Sequence, residues 1–175
     1  MPWLSSYARI RKIAYFIVDL PKDARILEVG CGDGWLGRYL REGGWKNYSG
    51  LDLAPPADVP GDIRGWADLG LAAASFDVVI AFEVAEHVNC FREFYDLLRP
   101  GGLLLLTSPL PHLDWLCRLL ELVGLSQPRC SPHDHLIRFP DIPLFVPLEI
   151  RRVGFISQWG KFRKPADSEG TPLGA

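Results

Sequence analysis

Short, mostly apolar runs alternate with segments of helical spacing along much of the chain. The apolar runs lie at residues 26–29, 48–53, 76–82 and 103–107. Runs of this length with little polar alternation are typical of parallel strands that are covered on both faces. Between them, apolar residues recur with a period near 3.6 at residues 35–42 and 89–98. The pattern predicts an α/β fold with a Rossmann-like, doubly wound and mostly parallel sheet.

The two ends of the chain and one internal stretch complete this pattern. Residues 3–20 have helical spacing and stop at Pro21, which predicts an N-terminal helix. Three prolines between residues 55 and 60 leave little room for a crossover helix, so the second such helix should be shortened or absent. A short strand is predicted at residues 63–67.

The C-terminal part is predicted to be short of one strand. Residues 148–152 are interpreted as a short helix and residues 155–162 as the sixth strand. Residues 163–175 are rich in proline, glycine and charge, which indicates a disordered tail rather than a seventh, antiparallel strand. An open sheet edge would then need a second copy or a partner chain to cover it.

A glycine-rich segment follows the first apolar run. Gly30, Gly32, Gly34 and Gly37 lie between this strand and the next helix, where backbone with positive φ can approach a ligand closely. The spacing formally fits a dinucleotide fingerprint, with Asp52 about 20 residues further on. However, the charge of Glu28 at the strand end would repel a pyrophosphate and attract a sulfonium or an amine. A cationic nucleoside ligand is therefore favoured over a nicotinamide cofactor.

Three segments resemble class I S-adenosylmethionine (SAM) dependent methyltransferases. Leu-Glu-Val-Gly-Cys-Gly-Asp-Gly at residues 27–34 is similar to their first motif. A Phe-Asp pair at residues 76–77 resembles the start of their fourth strand, and Leu-Leu-Arg-Pro-Gly-Gly at residues 97–102 resembles the entry to their fifth. The resemblance covers about residues 23–108 in the correct order.

This resemblance implies a SAM site. The glycine loop would wrap the methionine part and Asp52 would hold the ribose hydroxyls, while Trp66 would stack on adenine and Asp68 would accept from its amino group. A tryptophan that merely fills the gap left by the missing helix is the alternative. The implied cofactor residues are Glu28, Gly30, Cys31, Gly32, Gly34, Asp52, Leu53, Trp66, Ala67, Asp68 and Phe82.

A cluster of ionisable residues follows the apolar strand predicted at residues 76–82. Glu83, Glu86 and His87 are spaced i, i+3 and i+4, so a helix beginning here would place them on one face as candidate catalytic residues. This Glu-x-x-Glu-His variant resembles the metal motif of small-RNA 3′-end 2′-O-methyltransferases and of ubiquinone-pathway O-methyltransferases. That resemblance implies His135 as a fourth ligand of a Mg²⁺ ion, which would lower the pKa of the acceptor hydroxyl. A structural, pocket-lining Glu-His pair with a surface His135 is the alternative.

Composition narrows the choice of methyl acceptor and of cellular compartment. A net charge of -2 over 175 residues gives no overall attraction to nucleic acid. The apolar stretch 109–147 is interpreted as an acceptor-side cap within one domain, residues 1–162, which favours a small-molecule acceptor. Four cysteines without paired spacing and the lack of a long apolar run predict a cytoplasmic protein without a transmembrane segment.

Together these observations predict a SAM-dependent methyltransferase that acts on a small-molecule hydroxyl. Two alternatives stay open at this point. The short chain and the missing strand would suit a SAM-binding, non-catalytic or partner-dependent subunit. The Glu-x-x-Glu-His segment would suit a metal-dependent RNA 2′-O-methyltransferase.

Overall fold

The computed structural model describes residues 3–111, 135–154 and 156–166, and these form one twisted sheet with helices on both faces. In chain order the strands are β1 Ile26–Val29, β2 Tyr48–Asp52, β3 Val59–Pro60, β4 Phe76–Phe82, β5 Leu98–Pro109, β6 Val146–Val153 and β7 Ser157–Arg163. Their order across the sheet is β3-β2-β1-β4-β5-β7-β6. The first five strands pair in parallel, and β7 runs antiparallel to both β5 and β6. The predicted α/β fold with a mostly parallel sheet is confirmed.

The helices flank this sheet. They are α1 Trp3–Lys12, which continues as a π-helical segment at Ile13–Ile17, then α2 Trp35–Glu42 and α3 Phe91–Leu97, with 3₁₀ turns at Ile63–Gly65 and Phe139–Asp141. The predicted helix at residues 35–42 has these same bounds. It ends because Gly43 caps it and Gly44 adopts a φ of +89°, which favours glycine.

Both faces of the sheet are buried, as the continuous apolar strands predict. Along β4, Val79 and Ala81 pack in a cluster with α3, while Val78 and Ile80 pack in a second cluster with α2 and the π-helical segment. Alternate residues of one strand therefore belong to different cores. This arrangement fixes the strand ends, where the candidate site lies.

The stretch between β2 and β4 departs from a full βαβ unit. No helix lies between β2 and β3 in the structure, which confirms the predicted loss of the second crossover helix. The short strand predicted at residues 63–67 is wrong: the third strand is the two-residue β3, and residues 63–65 form a 3₁₀ turn capped by the Asp62 carboxylate, which accepts from Arg64 N. A side-chain cap of this kind competes with strand pairing.

The C-terminal prediction also needs correction. Residues 148–152 lie in strand β6 and not in a helix, so the sheet has its seventh strand and the antiparallel β7 is inserted between β5 and β6. Pro147 makes this segment look unlike a strand in the sequence, because proline lacks a backbone N–H. Proline is nevertheless tolerated on an edge strand such as β6. The predicted tail begins too early, because Arg163 pairs with Leu103 and Lys164 N donates to Gly102 O.

Several predictions fall partly or wholly outside the described residues. These are most of the cap at 109–147 and the tail beyond residue 166. In the parts that are described, no helix is both long and apolar enough to span a bilayer. Cys31 and Cys90, the cysteines within the described ranges, are buried free thiols.

Candidate active site

The glycine loop connects β1 to α2 and is open on one side. Gly30, Gly32 and Gly34 have φ values of +73°, +52° and +68°, which explains why glycine is required at each. A Cβ on Gly30 would lie 2.4 Å from Val84 Cγ2, so this end of the loop is closely packed. At Gly32 a Cβ would meet no atom within 4 Å beyond its chain neighbours. The loop therefore borders space that a ligand can occupy.

Asp52 ties the end of β2 to this loop. Its Oδ2 accepts a hydrogen bond from Gly32 N at 2.8 Å, and Cys31 N donates to the preceding Leu51 O at 3.2 Å. Leu53 follows with 76% of its surface exposed. The predicted pair of glycine loop and ribose-binding carboxylate is thus in direct contact. The carboxylate has a second oxygen to offer to a diol.

Glu28 lies beneath the loop rather than on the open surface. It is 2% exposed, and its Oε2 accepts from Tyr48 Oη at 2.5 Å. Burial raises the pKa of Glu28 to about 8, although the hydrogen bond from Tyr48 acts in the opposite direction. The acid is therefore mostly protonated at neutral pH. The prediction that its negative charge selects a cationic ligand loses its physical basis in this geometry.

This buried acid has a measurable consequence for stability. Because the folded-state pKa of Glu28 lies above the ordinary value, the folded state binds more protons than the unfolded state between about pH 4.5 and pH 8. Glu28 therefore lowers the free energy of unfolding as the pH rises through this window. We expect Glu28→Gln to gain stability relative to the parent chain, by an amount on the order of a few kcal/mol, between pH 5 and pH 8. Urea unfolding of both chains at pH 5 and at pH 8 measures this gain. A difference in unfolding free energy between variant and parent that does not change with pH would contradict the expectation.

The predicted adenine-side residues follow the 3₁₀ turn. Trp66 is partly buried and packs against the core cluster that includes Ile63, while Ala67 and Asp68 are exposed. The packing of Trp66 is what the gap-filling alternative requires, and its remaining exposed surface leaves room for stacking. The contact of Trp66, Ala67 and Asp68 with adenine remains a prediction.

Glu83 stands at the carboxyl end of β4, directly after the buried Phe82. Its φ of +57° is uncommon for a residue with a Cβ, and such strain is often found at functional sites. Glu83 N donates to Thr107 O at 2.9 Å, while Glu83 Oε1 accepts from Thr107 Oγ1 at 2.7 Å and from Lys12 Nζ at 3.0 Å. Desolvation at this strand end works to raise the pKa of Glu83, whose side chain is nevertheless 42% exposed, but the charge of Lys12 and the Thr107 hydrogen bond hold it below the ordinary value. Glu83 is a fixed, ionised carboxylate.

Glu86 and His87 lie in a turn, so the helix predicted to begin at Glu83 is not formed. Glu86 is 1% exposed, and within the described residues neither carboxyl oxygen makes a hydrogen bond of ordinary geometry, although the side chains of Ser108 and Glu83 are near enough to affect its protonation. Burial, followed by the charge of Glu83, raises the pKa of Glu86 well above the ordinary value. His87 N donates to Val84 O at 2.9 Å, which closes the turn. Of the two carboxyl groups, Glu83 is therefore the more acidic, and Glu86 holds its proton to higher pH.

The predicted Mg²⁺ site is not formed. Within residues 3–111, 135–154 and 156–166, no group of three or more His, Cys, Asp or Glu side chains is arranged to hold a metal ion. His135 is exposed and contacts this region through its backbone, since His135 N donates to Glu86 O at 2.9 Å. The cation on Glu83 is the Lys12 ammonium. The described residues give no support for Glu83, Glu86, His87 and His135 as a ligand set, and their assignment as ligands stays a prediction.

Three residues of the site were missed from the sequence. Lys12 lies 71 residues away from Glu83 along the chain. Thr107 is the last residue of the predicted apolar run 103–107, and Tyr48 is the first residue of β2. None carries a local pattern that signals chemistry. The parallel pairing of β4 with β5 could have suggested Thr107, because Phe82 lies opposite it.

The family of the chain is decided by comparison with known proteins. A family model described as "Methyltransferase domain" matches residues 5–147. The chain belongs to this methyltransferase family. The domain is 35% identical over 101 residues to a malonyl-[acyl-carrier protein] O-methyltransferase of Enterobacter lignolyticus, which covers 49% of this chain and 39% of the relative. It is 36% identical over 109 residues to a ubiquinone biosynthesis O-methyltransferase of Xanthomonas campestris, covering 52% and 45%.

The methyltransferase domain spans less than half the length of these curated relatives. Solved structures support the fold. A SAM-dependent methyltransferase from Mesorhizobium loti aligns with a TM-score of 0.61 at 17% identity, covering 91% of this chain and 97% of that one. The [4+2]-cyclase SpnF aligns with a TM-score of 0.67 at 12% identity, covering 95% and 83%. At these identities the likeness extends to the fold alone.

Proposed function

We propose that the methyltransferase domain binds SAM across the carboxyl ends of β1, β2 and β4 and methylates a hydroxyl group of a small molecule. The observation that carries this proposal is the open glycine loop tethered to Asp52, with the ionised Glu83 on the other side of β1. Ligands of open α/β sheets bind in this position, outside the carboxyl ends of the strands.

The residues present fit SAM. The loop at residues 30–34 would hold the methionine part, because Gly32 borders open space. Asp52 would accept from the ribose hydroxyls, and the exposed Leu53 would cover one side of the nucleoside. Trp66, Ala67 and Asp68 would lie on the adenine side, and Phe82 on the side of the sulfur.

Glu83 would be the proton acceptor. SAM supplies a methyl group on a positively charged sulfur, which leaves as the neutral thioether of S-adenosylhomocysteine (SAH). As the acceptor oxygen forms its bond to the methyl carbon, the hydroxyl proton has to leave, and Glu83 is an ionised carboxylate at the correct strand end. Lys12 and Thr107 fix its orientation, so that little reorganisation is needed.

Oxygen is favoured as the acceptor atom by the relatives, since both names above state O-methyl transfer. The alternatives have less support. A non-catalytic subunit was suggested by the short chain and by a missing strand, and the second of these grounds is removed because the sheet has seven strands. A metal-dependent RNA enzyme was suggested by a metal cluster that the described residues do not form.

A transfer assay with tritiated SAM tests this proposal. The purified chain is incubated with a catechol, an aliphatic carboxylic acid, a primary amine and a short RNA, each with and without a chelator. We expect label in the catechol, no label in the carboxylic acid, the amine or the RNA, and no effect of the chelator. Label in RNA that the chelator abolishes would contradict the proposal, and so would SAM binding without transfer to any of the four acceptors.

A further inference from the structure

Lys12 lies inside the candidate cofactor cleft. It is the last residue of α1, at the point where the helix changes to π-helical winding, a feature often found at functional sites. Its Nζ is 3.0 Å from Glu83 Oε1 and 5.0 Å from the centroid of the Phe82 ring, and its side chain is only 11% exposed. An ammonium between an aromatic ring and a carboxylate fills a cation site. In this chain a residue of the protein itself provides the cation.

Packing on both sides fixes the position of Lys12. On one side Arg9 Nη2 pairs with Asp33 Oδ2 of the glycine loop at 3.0 Å. On the other side the Phe16 ring of the π-helical segment packs on the Phe82 ring at 5.1 Å between centroids. The N-terminal helix is therefore attached to the glycine loop and to the end of β4. Lys12 stands between these two attachments.

The cofactor and its product differ in charge at this place. SAM carries a positive sulfur, whereas SAH carries a neutral one and keeps every other group except the methyl. The sulfur joins the methionine and ribose parts, so it would lie near the end of β1, which pairs with β2 on one side and with β4 on the other. The methyl group would then face the end of β4. Lys12 and Glu83 carry fixed charges at the end of β4, and Asp33 and Asp52 carry theirs beside the end of β1, where Glu28 is mostly protonated.

We propose that Lys12 sets the relative affinity of the domain for SAM and SAH, because its ammonium occupies the cation position between Phe82 and Glu83. The inference rests on the SAM site proposed above. A second positive charge that enters this position is repelled by Lys12 and attracted by Glu83. The pair thereby keeps the substrate and the product close in affinity. An unpaired Lys12 would favour SAH over SAM, and an unpaired Glu83 would favour SAM over SAH.

Calorimetric titration with SAM and with SAH, at pH 8 and low salt, tests this inference without an acceptor. We expect Lys12→Met to increase the ratio of SAM affinity to SAH affinity about fivefold or more, because Glu83 is left without its partner. Glu83→Gln should decrease the ratio by a similar factor. The double variant should return to within about twofold of the parent chain, since both charges are gone.

Two further variants separate charge from packing. Lys12→Arg keeps the charge and should keep the ratio. Lys22→Met removes a lysine that also lies over an aromatic ring, Trp45, and donates to Gly43 O, and it should leave the ratio unchanged. If Lys12→Met is poorly folded by circular dichroism, Lys12→Gln replaces it.

Three results would overturn the inference. Equal weakening of SAM and SAH by Lys12→Met would indicate lost helix packing, and an unchanged ratio in both single variants would show that the charges do not act on the sulfur. A parent chain that binds neither ligand would overturn the proposed function and this inference together. Binding with an unchanged ratio overturns the inference alone.

Discussion

Glu83→Gln is expected to lower the rate of methyl transfer about a hundredfold or more, because an amide cannot take the acceptor proton. The substitution keeps the size of the side chain and an oxygen that can accept from Thr107. The rate of the parent chain should fall at a pH below the usual titration range of a glutamate, because acid protonates Glu83 there. This acid limb of the pH profile should be missing in the variant. Single-turnover kinetics with the acceptor found in the panel measure both effects.

Glu86→Gln is the matched comparison. Burial and the charge of Glu83 raise the pKa of Glu86 well above the ordinary value, and an amide resembles a neutral carboxyl group more closely than a charged one. We therefore expect a clearly smaller loss than for Glu83→Gln. Equal losses in the two variants, or a retained acid limb in Glu83→Gln, would contradict the role of Glu83 as proton acceptor.

Gly32→Ala is expected to weaken SAM binding at least about tenfold, equivalent to about 1.4 kcal/mol. The new methyl group would project into space where no atom lies within 4 Å, which is the space assigned to the ligand. The φ of +52° adds strain to the loop. Calorimetry measures the affinity, and thermal unfolding measures the cost to stability.

Gly44→Ala provides the control for backbone strain. Gly44 has a φ of +89° and likewise no atom near the position of a Cβ, but it follows α2 at the far end from the glycine loop. Both variants should lose stability, and only Gly32→Ala should lose affinity for SAM. Similar affinities in the two variants would mean that the open side of the glycine loop does not receive the cofactor.

Local patterns in the sequence were sufficient for the central part of the fold. The run from β1 through the glycine loop to α2 was predicted because strand, turn and helix each have a strong local signal, and Gly43 and Gly44 mark the helix end. The order of β4, α3 and β5 followed from similar signals. Gly32 and Asp52 were both predicted for the site, and the structure adds that the parallel pairing of β1 and β2 brings them into contact.

The errors arose where tertiary contacts outweigh local pattern. Strand β6 contains Pro147 and lies at the sheet edge, so its identity depends on pairing with β7 rather than on its own residues. The state of Glu28 depends on burial and on Tyr48, which no local pattern reveals. Lys12 reaches Glu83 from 71 residues away, and so the sequence suggested a metal ion for a carboxylate that has a lysine as its partner.

A crystal structure of the chain with SAH tests the central claim most directly. We expect the ribose hydroxyls within hydrogen-bond distance of Asp52, the homocysteine part against residues 30–34, and the sulfur on the side of the site where β4 ends. SAH bound elsewhere, or an empty loop at saturating SAH, would contradict the assignment of this cleft as a methyl-transfer site.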